Sequence, residues 1–228
     1  MLRYLFVILL ITGCKKPTAV TGTAPTLPAG PKTYLALGDS YTIGQGVAVF
    51  ERFPAQTAVW LQQKGISITA LTYIATTGWT TSNLQSAITA QNPSTHDVVT
   101  LLIGVNDQFQ RRDTTGYRER FTALLQQSIV LARGKKEAVV VLSIPDYSVT
   151  PFAAGRDTAR IRLELDWFNA INKQVTTGFD VSYLDITAST REARTHPALI
   201  ATDGLHPSAL EYKKWAERLG PLLERALK

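Results

Sequence analysis

Ser40, Asp203 and His206 are the residue types of a hydroxyl nucleophile, an orienting acid and a general base, and they lie in three separate stretches of the chain. A serine hydroxyl attacks poorly at neutral pH unless a base takes its proton, and that base works best when a third group holds its ring. Asp203-Gly204-Leu205-His206 has a spacing that lets a carboxylate accept from one imidazole nitrogen while the other faces a serine. The tetrahedral intermediate of acyl transfer also needs preorganised donors for its oxygen. The backbone N–H of Ser40, the unobstructed N–H of Gly78 and the side-chain amide of Asn106 are suitable types. The chemistry spelled by these five residues is acyl transfer.

Each piece alone has a plainer explanation. Gly38-Asp39-Ser40 could be a strand-to-helix turn with a capping side chain, and Asp203 to His206 a loop before Pro207 opens the last helix. Gly78 could be a loop glycine with positive φ, and Asn106 a turn former next to Gly104. Their joint placement carries the argument, and the elements around them set that placement.

Apolar strand candidates occur at 34–37, 66–74, 98–103, 138–144 and 181–186. Helical segments fall between them, at about 54–64, 80–90, 117–129 and 161–175, with Gly65, Gly134 and Gly178 as stops. A last helix carries the stripe Ala209, Tyr212, Ala216 and Leu219, with an interruption expected at Gly220-Pro221. Nearly unbroken apolar strands alternating with crossover helices mean α/β: a single doubly wound, three-layer domain with a five-stranded parallel sheet. Ligands of such sheets bind beyond the carboxyl ends of the strands. The four pieces, following strands one, two, three and five, would meet there.

These blocks, in this order, resemble those of the SGNH hydrolases, also called the GDSL family, over essentially all of residues 33 to 228. The resemblance implies a flavodoxin-like SGNH fold and a serine ester hydrolase. It further implies Ser40 as nucleophile, Gly78 and Asn106 completing the oxyanion hole with Ser40, Asp203 as orienting acid and His206 as base. The fourth position of the usual Gly-Asp-Ser-Leu is Tyr41 here. An α/β-hydrolase elbow fits less well, because Gly-x-Ser-x-Gly would need glycine where Thr42 stands.

Tyr41, Trp79, Gln108, Phe109 and Tyr147, the last in a loop running from Pro145 to Phe152, are candidate substrate contacts. A small-molecule or glycan ester with a short acyl group is the expected substrate. A lysophospholipid or thioester is the alternative, and a catalytically inactive, membrane-tethered binding module is the alternative of another class. Asp39 and Asp107 read as braces for their loops, and His96 and His196 as surface residues. No His, Cys or carboxylate cluster has metal-ligand spacing and no phosphate-cradling glycine loop is present, so neither a metal nor a cofactor is expected.

A chain of 228 residues, 45% hydrophobic, accommodates one full core. Its net charge of +6 is scattered in short doublets such as Arg111-Arg112, which argues against a nucleic-acid partner. The apolar run from Leu5 to Ile11 is too short to span a bilayer and has the proportions of a signal-peptide core. Ile11-Thr12-Gly13-Cys14 resembles a bacterial lipobox, and Cys14 is the only cysteine. The expectation is a signal peptide over 1–13, a lipidated Cys14 opening a flexible tether over 14–32, and a catalytic domain over 33–228. That address is a membrane-anchored lipoprotein on the periplasmic or cell-surface side.

Overall fold

The computed structural model of the chain describes residues 30–110 and 114–228. The expected signal peptide, Cys14 and nearly all of the tether lie outside the described residues. The first strand, β1 (Lys32–Gly38), begins inside the last residue assigned to the tether. Among the described residues, no helix is long and apolar enough to cross a membrane.

Four further strands follow: β2 (Ile68–Ala75), β3 (Val98–Leu102), β4 (Val139–Leu142) and β5 (Ser182–Leu184). They form one sheet in the order β2-β1-β3-β4-β5, with every neighbouring pair parallel. The apolar runs explain the arrangement. β3 and β4 are buried at every position, whereas the edge strand β2 exposes Thr69 and Ala70. Strands covered on both faces read as continuous hydrophobic sequence, as Val98–Leu102 does.

The helices are α1 (Ser40–Ile43), α2 (Phe53–Gln63), α3 (Thr81–Gln91), α4 (Val105–Phe109), α5 (Thr114–Leu131), α6 (Thr158–Gly178), α7 (Thr187–Arg191) and α8 (Ala209–Leu227). α2 packs against α8 on one face of the sheet, and α3, α5 and α6 pack in sequence on the other. The chain leaves β1 toward β2 and then returns to place β3 on the opposite side of β1. That reversal opens a crevice beyond the carboxyl ends of β1 and β3, where ligands of doubly wound sheets bind.

Two expectations are corrected. α8 runs through Gly220-Pro221 without interruption. Pro221 is solvent-facing, while Leu219, Leu223 and Leu227 on the buried stripe hold the helix on the core from both sides of it. His96 is not a surface residue but is buried. Its ring lies within hydrogen-bond reach of the Ser94 carbonyl (2.8 Å) and the Thr72 hydroxyl (3.3 Å), and its amide donates to Leu131 O. His196, by contrast, is exposed.

Candidate active site

Ser40 sits one residue beyond the turn that ends β1, at the first position of α1. The turn requires Gly38, since a Cβ there would collide with the Leu102 carbonyl of β3 and the Thr42 hydroxyl. Asp39 caps the short helix by accepting from Tyr41 N at 3.0 Å. Its other carboxylate oxygen is buried without a hydrogen-bond partner. Burial pushes the Asp39 carboxyl up to about 8; the Tyr41 amide opposes the rise and nearby Asp107 adds to it. Asp39 is therefore a brace, as its sequence position suggested.

His206 reaches the same point from the other end of the chain. Its Nε2 lies 3.0 Å from Ser40 Oγ, and its Nδ1 lies 2.7 Å from Asp203 Oδ2. With the Nδ1 proton directed at the carboxylate, Nε2 is left to accept from the serine hydroxyl. Asp203 Oδ1 accepts the amides of Leu205 and His206, both at 2.9 Å. Burial raises the Asp203 carboxyl, but those two amides and the imidazole together bring it below the usual carboxylate range.

The loop holding this pair is closed on itself. Ala201 N donates to His206 O at 2.7 Å, Gly204 N donates to Ala201 O, and Ile200 and Pro207 form an antiparallel bridge. It does not follow β5 directly, because α7 and two single-turn 3-10 helices intervene. Phe152 N donates to Gly204 O at 3.0 Å, which ties the loop to the segment after β4.

The residues expected as donors, Gly78 and Asn106, come from the loops after β2 and β3. Gly78 has φ of +80° in the turn that Trp79 N closes onto Thr76 O, so the glycine is required by backbone conformation while the space beside it is open. Asn106, on α4, donates through Nδ2 to Trp79 O at 3.0 Å, and Gln110 Nε2 donates to Gly78 O at 3.3 Å. The two loops are thereby fastened together. An amide nitrogen carries two hydrogens, so the Trp79 bond leaves Asn106 one more.

Ser40 and His206 open onto a cavity of about 80 Å³. Tyr41, Asn106, Phe109 and Tyr147 line it, as do Val105, Phe152 and Leu205. Of the expected substrate contacts, Tyr41, Phe109 and Tyr147 are thus in the wall. The Tyr41 ring also packs 5.2 Å from that of His206. Trp79 instead packs against the core, and Gln108 is buried behind the wall between the Tyr147 hydroxyl and Glu164. Gly78 is not in the wall either. Val105 and Leu205 were not singled out in the sequence, although each adjoins a residue that was; apolar neighbours of a polar motif give no signal of their own.

The GDSL-like Lipase/Acylhydrolase family model matches residues 36–214. The chain belongs to that family. Within the GDSL family, solved structures share the fold of this hydrolase at low identity. A lipolytic protein of the G-D-S-L family from Veillonella parvula aligns with a TM-score of 0.65 at 18% identity, covering 85% of this chain and 98% of that one. An acetylxylan esterase from Geobacillus stearothermophilus aligns at 0.61 and 20% identity, covering 88% and 96% respectively. A lipase/acylhydrolase from Enterococcus faecalis aligns at 0.61 and 20%, covering 85% and 94%. No curated protein matches the GDSL hydrolase in sequence.

Proposed function

We propose that this GDSL hydrolase is a serine esterase that cleaves carboxylic esters of short acyl groups through an acyl-serine intermediate. The observation that carries the reading is the hydrogen-bonded line from Asp203 through His206 to Ser40, at 2.7 and 3.0 Å. In acylation, His206 Nε2 takes the Ser40 proton as Oγ bonds to the carbonyl carbon, and the imidazolium so formed is stabilised by Asp203. The oxyanion is received by the Ser40 and Gly78 amides and by Asn106 Nδ2. Loss of one such donor typically removes about 2.7–4 kcal/mol of transition-state stabilisation. The imidazolium then protonates the departing alkoxide. In the second step His206 takes a proton from water, the resulting hydroxide attacks the acyl carbon, and Ser40 Oγ leaves with the proton returned by His206.

The cavity at Ser40, about 80 Å³, is far smaller than the roughly 300–1,000 Å³ of sites that enclose drug-sized ligands. That size supports a short acyl chain over the long chain of a lysophospholipid or acyl thioester. A fluorophosphonate probe should label Ser40, and p-nitrophenyl acetate should be turned over. Ser40→Ala should lose both while unfolding at the wild-type temperature. Wild-type turnover in Ser40→Ala would refute the assignment, and an unlabelled Ser40 in folded wild-type protein would favour a binding module instead.

The lipobox-like Ile11-Thr12-Gly13-Cys14 supports a further part of the reading, export with a lipid anchor on Cys14 and the catalytic domain held off the membrane by the tether. Metabolic incorporation of a palmitate analogue, lost in Cys14→Ser, is the test. Unlabelled wild-type protein would rule the anchor out.

A further inference from the structure

A second cavity, of about 290 Å³, adjoins the one at Ser40. Phe109 and Tyr147 line both. With Phe152 they form a cluster of three rings whose centroids are 6.0–6.2 Å apart, a rim between the two spaces. A third space, which shares Tyr41, Tyr147, Leu205 and His206 with the Ser40 cavity, is only about 20 Å³, so the larger groove is where the alcohol of an ester with its acyl group at Ser40 can extend.

The polar lining of that second space is built into the fold. Buried Gln108 accepts from the Tyr147 hydroxyl at 3.0 Å and donates through Nε2 to Glu164 at 2.7 Å. Arg160 Nε donates to the other oxygen of Glu164 at 2.6 Å, and Asp157 accepts the Arg160 amide at the start of α6. The Arg156 guanidinium lies over Phe152 and Phe109, 4.8 and 5.4 Å from their centroids. Arg156 and Arg160 are balanced by Asp157 and Glu164, so the groove has no net charge.

We infer that this groove is the leaving-group subsite and that it takes a neutral sugar ring esterified through one of its hydroxyls; the inference rests on the esterase reading above. Sugar hydroxyls both donate and accept, which suits a lining of guanidinium forks and carboxylates. The C–H face of the ring suits the aromatic rim. An alkyl alcohol would strip water from Gln108, Asp157 and the arginines without replacing its hydrogen bonds. A phosphorylated or carboxylated alcohol would find no net positive charge in a groove whose two arginines are balanced by two carboxylates, one of them already bound to Arg160. On acylation the alkoxy oxygen takes the proton from His206 Nε2 and departs as a sugar hydroxyl, while the acyl carbon stays on Ser40 Oγ.

Arg156 is exposed and remote from the core, so its substitution tests the groove without unfolding the protein. The probes are a monoacetylated methyl glucoside and 1-naphthyl acetate, whose leaving group is apolar. Arg156→Ala should raise KM for the glucoside ester with little change in kcat, and lower kcat/KM relative to 1-naphthyl acetate about tenfold, as expected for one lost charged hydrogen bond. Arg156→Lys should recover only part of that ratio, because it keeps the charge and loses the fork. An unchanged ratio in Arg156→Ala would overturn the inference. So would a wild-type protein that cleaves 1-naphthyl acetate but not the glucoside ester. Failure on every ester, with Ser40 unlabelled by fluorophosphonate, would instead overturn the esterase reading and the subsite with it.

Discussion

Both carboxylate oxygens of Asp107 are engaged by Thr81: Oδ1 accepts its hydroxyl at 2.7 Å and Oδ2 its amide at 2.8 Å. Thr81 opens α3 just after the Gly78-Trp79 turn, and Asp107 follows Asn106 on α4. The pair is a clamp between the two loops that carry the expected oxyanion donors, and Arg120 closes it from α5 by donating to both partners.

Thr81→Val removes the hydroxyl arm of that clamp and keeps the amide arm. The buried Asp107 oxygen is left with Arg120 at 3.3 Å. The expected loss of stability is about 1–3 kcal/mol by urea denaturation. Donors displaced from the oxyanion should lower kcat about tenfold with little effect on KM, since the interaction is made in the transition state. Thr81→Ser should restore both, and a kcat that survives the loss of stability would show that the clamp has no catalytic consequence.

Asp203→Asn tests how the base is held. The amide can still accept from the backbone N–H groups of Leu205 and His206, but an NH2 turned toward Nδ1 would favour the wrong imidazole tautomer. Expected is a fall in kcat of the order of 10⁴, the size of the loss when the acid of a Ser-His-Asp triad is replaced by its amide. Steady-state kinetics on p-nitrophenyl acetate, beside an unchanged circular dichroism spectrum, decide it. A loss under tenfold would mean that Asp203 orients nothing the reaction needs.

The fold was legible because its central strands are buried on both faces and its helices carry clear stripes. Val98–Leu102 could scarcely be anything but a central strand. The meeting of Ser40, Asp203 and His206 was legible because the expected chemistry restricts residue type and the strand ends restrict position. His96 and Pro221 were misjudged for one reason: each depends on tertiary partners that local pattern does not encode. A histidine before a strand looks solvated until Thr72 of the edge strand β2, on the far side of β1, is brought against it. A Gly-Pro pair looks like a helix end until leucines on both sides of it are buried. Trp79 and Gln108 carry suitable side chains for a substrate wall, but one turns to the core and the other into a hydrogen-bond network.

Asp39 makes stability depend on pH in an unusual direction for a carboxylate. Its folded value, near 8, lies above that of the unfolded chain, so between about pH 4 and 8 the folded state retains a proton that the unfolded state has released. Its contribution is fully present below the unfolded value and is lost as pH rises through the folded one, with a slope of at most about 1.4 kcal/mol per pH unit. Asp39→Asn keeps an acceptor for the Tyr41 amide and removes the ionisation. Unfolding free energies at pH 5, 6.5 and 8 should therefore converge in the variant, and an undiminished slope would place the effect elsewhere.

Gly220→Ala should destabilise the protein although alanine is the better helix former by about 1 kcal/mol. A methyl at this position would press into the Trp60 ring of α2, which lies directly against the Gly220 backbone. The expected net loss is about 1–2 kcal/mol. A gain in thermal stability would show that the Trp60 ring gives way freely.

The loop from Ile200 to Pro207 assembles Asp203 and His206 by local closure, within a handful of residues, whereas Ser40 arrives from a position 166 residues before His206. Two of the three groups thus stay mutually oriented if their loop lifts from the sheet edge, and the 3.0 Å contact to Ser40 is the one that registers, for the serine, whether it is seated. Ester turnover is consequently a gauge of local opening. As denaturant is added, it should fade before the spectroscopic transition of the whole domain begins.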